Sequence, residues 1–404
     1  MSPRVSGAPA LPLGGPLPPA RPSWPDGTIP RGGFAGAATG RAVRQPGLTP
    51  PGAGPILPGA LPSLRTHLIT ACVAALGGAL LALLHVPLAW MIGAMMGTAA
   101  LAWHREVAVP AWARPAGLVF LGLGLGGTFS GPVLAAVTGA LPVLLLCGVA
   151  SIATGFLVAR LFTRLAGTDA QTGFFCAVPG GVIVMAMLAQ EAKASVAAVT
   201  LAQTMRVLVV VLTFPPLLGW LAPHGEYSEF MAPRAAVWWP GLLGMAAAGL
   251  LLAFPLRRLG LANPWMLGPC GLAIILAATG HLPSGVPVPV VDAAQVAMGA
   301  TLGTRLTRSF LLRSRRLALA GVLSSAVLSV VLALLAWGVA VLADMPVAAV
   351  ILGLAPGGMP EMALTAKALE LAVPLVLGFH LTRTVLCNLL VGPLHKWGVR
   401  WGLL

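Results

Sequence analysis

The stretch Ala177-Val178-Pro179-Gly180-Gly181-Val182-Ile183-Val184-Met185-Ala186 decides how this chain is read, because it returns as Ala355-Pro356-Gly357-Gly358-Met359-Pro360-Glu361-Met362-Ala363. Superposing the two Pro-Gly-Gly triplets sets an offset of 177 residues, which also carries Met185 onto Met362, Arg206 onto Arg383 and Pro216 onto Pro393. Upstream it carries Gly122 and Gly126 onto Gly299 and Gly303. A two-residue slip brings Trp90-Met91-Ile92-Gly93 onto Trp265-Met266-Leu267-Gly268. A period this long marks a tandem duplication, and a fold read without it would be misread.

Both copies lie in apolar sequence. With 58% hydrophobic and 8% charged residues, and apolar runs that reach the roughly 20 residues a helix needs to cross a bilayer, the chain reads as an all-α polytopic membrane protein. A β-barrel would instead show short alternating segments. The net charge of +14 sits in short loops between apolar runs, as cytoplasmic loops do, so no nucleic-acid partner is expected. The five cysteines fall in apolar segments without a Cys-x-x-Cys pair and read as small buried hydrophobes.

The organisation divides at two places. Residues 1–64 form a Pro/Gly/Ala-rich tail, holding 15 of the 37 prolines by residue 62, which cannot bury a core and is expected to be disordered. It lacks the n-region and h-region of a signal peptide. Membrane repeat 1 is expected over 65–222 and repeat 2 over 236–400. Candidate crossings in repeat 1 are 67–84, 87–103, 116–137, 140–162 and 195–221. Those in repeat 2 are 236–254, 263–281, 290–304, 317–342 and 373–395. The segments 170–190 and 347–367 carry the Pro-Gly-Gly triplets.

Loop charge orients the two halves. Arg105 and Arg114 face an uncharged counterpart loop at 282–289, and Arg160 and Arg164 are matched by a loop holding only Asp344. The uncharged loop 128–140 is matched by Arg305, Arg308, Arg313, Arg315 and Arg316. The halves are therefore expected to be inverted, each with about five crossings plus one broken or re-entrant Pro-Gly-Gly segment. Fifteen Lys or Arg then fall on the cytoplasmic side and only Arg234 and Lys367 outside. Both termini come out cytoplasmic, in a bacterial inner membrane.

Inverted repeats with interrupted segments at matching positions point to a secondary transporter and its midplane site. Proline removes a backbone donor and glycine admits unusual conformations, so Pro179, Gly180, Gly181, Pro356, Gly357 and Gly358 should open the backbone to an anion. Arg206 and Arg383 lie inside apolar spans at a cost on the order of 3 kcal/mol each. They are either ligand or ion contacts, or caps for carbonyls freed by the breaks. Gln203 and His380, three residues earlier, share their helix face. Glu361, opposite Val184 in the first copy, would carry a proton, help hold a cation, or be neutralised by an arginine. Asp292 is a weaker candidate. The pairs Gly122/Gly126 and Gly299/Gly303 read as close helix packing.

Absent chemistry narrows the class. The seven histidines show no metal-ligand spacing, and the chain has no Gly-x-Ser-x-Gly or Gly-x-x-x-x-Gly-Lys motif. No catalytic residue, cofactor or metal is expected. The expected partners are the lipid bilayer, a small anionic or amino-acid-like solute coupled to H+ or Na+, and further copies of the chain in a homo-oligomer.

Over about residues 65–400 the chain resembles the AbrB-type duplicated membrane proteins, which are distinct from the small DNA-binding AbrB regulators. The resemblance rests on Pro179-Gly180-Gly181 followed by Met185, on Leu201-Ala202-Gln203-Thr204-Met205-Arg206-Val207, on Pro356-Gly357-Gly358-Met359-Pro360-Glu361-Met362, and on Phe379-His380-Leu381-Thr382-Arg383. It implies labels of ammonia monooxygenase or regulator of gene expression. The residues read on their own favour transport, with a ligand-sensing membrane regulator as the alternative and a membrane monooxygenase as a more distant one.

Overall fold

The computed structural model describes residues 63–221, 235–259, 261, 263–308, 312, 314–402 and 404. Residues 1–62 of the expected tail, and Arg234 and Arg313 among the loop charges, lie outside the described residues. All regular structure in the described residues is helical, in fifteen helices. In order they are α1 Leu64–Leu83, α2 Ala89–Ala102, α3 Ala113–Gly126, α4 Gly131–Gly139, α5 Leu141–Ala166, α6 Ala170–Ala177, α7 Val182–Glu191 and α8 Val196–Leu221. The second half holds α9 Trp239–Arg258, α10 Pro264–Ala278, α11 Val288–Gly303, α12 Arg315–Leu342, α13 Val347–Leu354, α14 Met359–Ala368 and α15 Val373–Arg400.

Six of these, α1, α5, α8, α9, α12 and α15, are long and apolar enough to cross a membrane, three in each half. The fold is that of a polytopic membrane protein. The expected crossings 87–103, 263–281 and 290–304 are helices of 14, 15 and 16 residues. At 1.5 Å per residue they span roughly 21–24 Å, short of the ~30 Å hydrocarbon core.

The expected crossing 116–137 is not one helix. It breaks after Gly126 into α3 and α4, which meet at 93°. Ser130 caps the new helix by accepting from the Val133 N–H, and Pro132 in its first turn lacks the donor that would continue α3.

The helix bounds recur. Adding 177 to α6, Ala170–Ala177, and α7, Val182–Glu191, gives the bounds of α13 and α14 residue for residue, and Val196 at the start of α8 becomes Val373 at the start of α15. The backbone repeats even where the residue does not. The left-handed conformation is held by Gly167 (φ 69°) and Asp344 (φ 49°), by Lys193 (58°) and Glu370 (56°), and at the slipped offset by Leu88 (57°) and Asn263 (53°).

Packing interlocks the halves. The N-terminal pairs α1–α2 and α9–α10 each pass their second helix to the other half, so that α2 lies on α11 and α10 on α3. Likewise α8 packs on α12 and α15 on α5. The glycines make the first exchange possible. A Cβ on Gly122 would come within 2.5 Å of the Met266 carbonyl oxygen, and one on Gly303 within 2.6 Å of that of Met95. Gly126 abuts the Cys270 carbonyl and Gly299 that of Met91 in the same way. In lipid such close approach supplies the association that water would otherwise drive.

Asp169, in the turn between α5 and α6, accepts from the Thr172 N–H and hydroxyl, both at 2.7 Å. Burial pushes this carboxyl up, but the Thr172 bonds outweigh it and hold it below the usual aspartate range. Its contribution is therefore complete above that range and lost as pH falls through the lowered value. Asp169→Ala is expected to cost about 1 kcal/mol at neutral pH, and the difference in thermal midpoint from wild type should vanish in strong acid.

Candidate functional site

Both Pro-Gly-Gly segments are broken helices. Between α6 and α7 the chain runs extended from Val178 (φ −62°, ψ 128°) to Gly181 (φ −67°, ψ 134°). Between α13 and α14 it does the same from Ala355 (φ −49°, ψ 134°) to Gly358 (φ −80°, ψ 148°). None of the four triplet glycines has a positive φ, so conformational freedom is not why glycine is needed. Three of the four instead lie under neighbouring side chains. A Cβ on Gly180 would strike the Met185 side chain, one on Gly357 would lie 2.9 Å from Val210 Cγ1, and one on Gly358 would strike the Glu361 carboxylate.

A helix that stops inside a membrane strands its last carbonyls. Here Arg206 on α8 donates through Nη1 to the Val178 carbonyl (3.1 Å) and through Nη2 to that of Gly180 (2.9 Å). The Gln203 amide donates to the carbonyls of Phe175 (2.8 Å), Cys176 (3.3 Å) and Val178 (3.1 Å). On α15, Arg383 donates to the Ala355 (2.6 Å) and Gly357 (2.8 Å) carbonyls, and His380 Nε2 to that of Leu352 (3.0 Å). Every acceptor but Cys176 has its counterpart 177 residues on. Of the roles open to the two arginines, capping freed carbonyls is the one these bonds fulfil, each within its own half.

Histidine and glutamine thus do one job at aligned positions. Arg383 Nη2 also donates to His380 Nδ1 (2.9 Å), which requires the neutral ring with its proton on Nε2. His380→Gln should stay within about 1 kcal/mol of wild type, because Gln203 already serves the other break this way. His380→Phe strands a buried carbonyl and an arginine N–H and should cost about 2–4 kcal/mol. Thermal midpoints of the two variants check the contrast.

The two breaks meet through a cysteine. Cys387, one turn beyond Arg383, donates from Sγ to the Pro179 carbonyl (3.0 Å). Its aligned residue, Val210, leans on Gly357. Sequence reasoning took Cys387 for a plain hydrophobe; the 177-residue offset that pairs it with Val210 was the available signal. Pro356 is buried at the second break, and Asp292 lies apart on α11, bonded by Gln295 (3.4 Å).

Beyond the carbonyl caps the halves differ. Glu361 is 3% exposed and makes no bond to either capping arginine. It turns back over Gly358 at the start of α14, and its Oε2 has no hydrogen-bond partner. The positive charges that reach it are Arg114 at the start of α3 and Arg305 just past α11, two residues missed as site neighbours. In the first half the aligned residue is Val184, so α7 starts without a carboxylate. There Arg206 Nε and Gln203 Oε1 are buried with no protein partner. Burial is unequal too: Met359 to Ala366 on α14 are all buried, whereas Ile183 and Met187 on α7 are 70% and 57% exposed.

With that geometry established, comparison with known proteins places the chain. The family described as "Transition state regulatory protein AbrB" matches residues 90–398. The chain belongs to the AbrB family. A Bacillus subtilis (strain 168) relative, "Uncharacterized protein YhjN", is 30% identical over 357 residues, covering 80% of this chain and 91% of its own length. An Escherichia coli (strain K12) relative, "Putative regulator AbrB", is 24% identical over 318 residues, covering 76% of this chain and 89% of its own. The AbrB match spans both broken segments and both capping helices, so the resemblance drawn from the repeated motif holds.

Proposed function

We propose that this AbrB-family protein is a secondary transporter of a small anionic solute, held between the two broken segments. The observation that carries the reading is the pairing of two interrupted helices, each pinned open by a buried arginine and joined through Cys387 and Pro179. Interrupted helices at matching positions of two repeats are where such carriers hold their cargo. The first break suits the solute: a half-helix start without a carboxylate, plus a free arginine N–H for its anionic group, while the free Gln203 amide oxygen would accept from an N–H or O–H of the same solute. Glu361 at the second break, the one buried carboxylate of the described helices, would couple movement to H+ or Na+. No catalytic step is assigned to these residues.

The test is a thermal-shift screen of the purified full chain against small organic anions and amino acids, with Val184→Glu alongside. That change gives α7 the carboxylate that α14 already has. An anion that stabilises wild type and not Val184→Glu, and is taken up by proteoliposomes, supports the proposal. An anion that shifts both equally refutes the site. The name of the Escherichia coli relative, "Putative regulator AbrB", favours a second reading, a membrane-bound sensor that binds the same solute without moving it; binding without flux in proteoliposomes would select it.

A further inference from the structure

Away from the breaks, one groove is lined by arginines that the aligned positions of the other half lack. It is a cavity of about 150 Å³ lined by Phe156, Ala159, Arg160, Thr163 and Arg164 of α5, Ala170 at the start of α6, and Leu404. Phe156, Arg160 and Arg164 stand four residues apart and so share one helix face. Both arginines are exposed, and neither has a hydrogen-bond or ion-pair partner among the described residues. The Thr163 hydroxyl is spent on the Ala159 carbonyl (2.9 Å). Asp169, the nearest acid along the chain, accepts from Thr172 and pairs with neither arginine. A third cation stands close by: Arg316 donates through Nε to the Leu165 carbonyl (2.9 Å) at the end of α5. In the second half, the positions aligned with Arg160 and Arg164 are Trp337 and Val341 on α12. The fold itself therefore does not require the two arginines.

We infer that this groove is a binding site for an anionic phospholipid. The phosphate sits between the Arg160 and Arg164 guanidinium groups, and the upper acyl chain lies along Phe156, Ala159 and Leu404. The occupant follows from complementarity: two guanidinium groups with no partner among the described residues, at the mouth of an apolar slot beside a membrane-spanning helix, match a charged head on an apolar tail. Basic pockets between membrane helices recognise anionic headgroups on this principle. Guanidinium suits the task because its planar fork can hold two phosphate oxygens at once. Each arginine near an anionic headgroup is worth about a fivefold gain in affinity, so the pair predicts a preference of roughly 25-fold for anionic over zwitterionic lipid.

The experiment titrates the delipidated, detergent-solubilised full chain with phosphatidylglycerol or phosphatidylcholine and counts bound lipid by native mass spectrometry. Glycerol phosphate serves as a chainless competitor. The expected result is retention of phosphatidylglycerol over phosphatidylcholine, at least a tenfold loss of it in Arg160→Gln/Arg164→Gln, and little competition from glycerol phosphate. The double variant alters only exposed side chains, so its lipid-free thermal midpoint should match wild type. Equal retention of both lipids, or a double variant that keeps phosphatidylglycerol, overturns the inference. Effective competition by glycerol phosphate overturns it as well, because the groove would then be a site for soluble anions.

Discussion

Arg383→Ala should cost about 3–5 kcal/mol and yield little folded protein. The change removes two charge-assisted bonds to the Ala355 and Gly357 carbonyls and the bond to His380 Nδ1. Bonds to a charged group contribute about 1.5–3 kcal/mol each, and carbonyls left unpaired in a buried site carry their own desolvation cost. Arg206→Ala removes two such bonds and should cost somewhat less. Lysine should rescue neither, because one ammonium cannot copy the forked reach to two carbonyls. Recovery of monodisperse protein and its thermal midpoint decide the matter. An arginine that served only a ligand would leave both unchanged on removal.

Leucine at Gly299 or Gly122 should be nearly as damaging. Each glycine abuts a backbone carbonyl of a helix from the other half, Met91 for Gly299 and Met266 for Gly122. Backbone cannot swing aside as a side chain can. Overpacking usually costs about 1–3 kcal/mol and more where nothing yields; for leucine here about 3–4 kcal/mol is expected. Leucine at Gly244 or Gly338, where an added Cβ meets nothing within 4 Å, should be tolerated. If all four variants melt alike, this account of the interface is wrong.

Much of this architecture was legible in the residues because the repeated motif carries its own punctuation. Proline and paired glycines announced both breaks, and the offset that aligned them also aligned Arg206 with Arg383 and Gln203 with His380. The nature of the arginine bonds was not legible. A buried arginine near a break suits a ligand and a stranded carbonyl equally well until distances are known. The bend between α3 and α4 escaped because its residues are apolar enough to pass as one crossing; Ser130 and Pro132 were the overlooked signs. The unequal settings of α7 and α14 escaped because burial depends on partners distant in sequence, and a repeated motif predicts equal surroundings.

The left-handed residues at the ends of α7 and α14 hold an unused reserve. After each helix the chain closes with a six-to-one bond, from the Ala194 N–H to the Ala189 carbonyl and from the Leu371 N–H to that of Ala366, both at 2.8 Å. This closure normally employs glycine, yet Lys193 and Glu370 occupy the positive-φ position and bear roughly 1 kcal/mol of strain each. Replacing both with glycine should relieve most of it, raising the thermal midpoint without touching either break. In such a sturdier background the weaker of the arginine variants would come within reach of purification, and a residue's part in holding the helices open could be measured apart from any part in holding cargo.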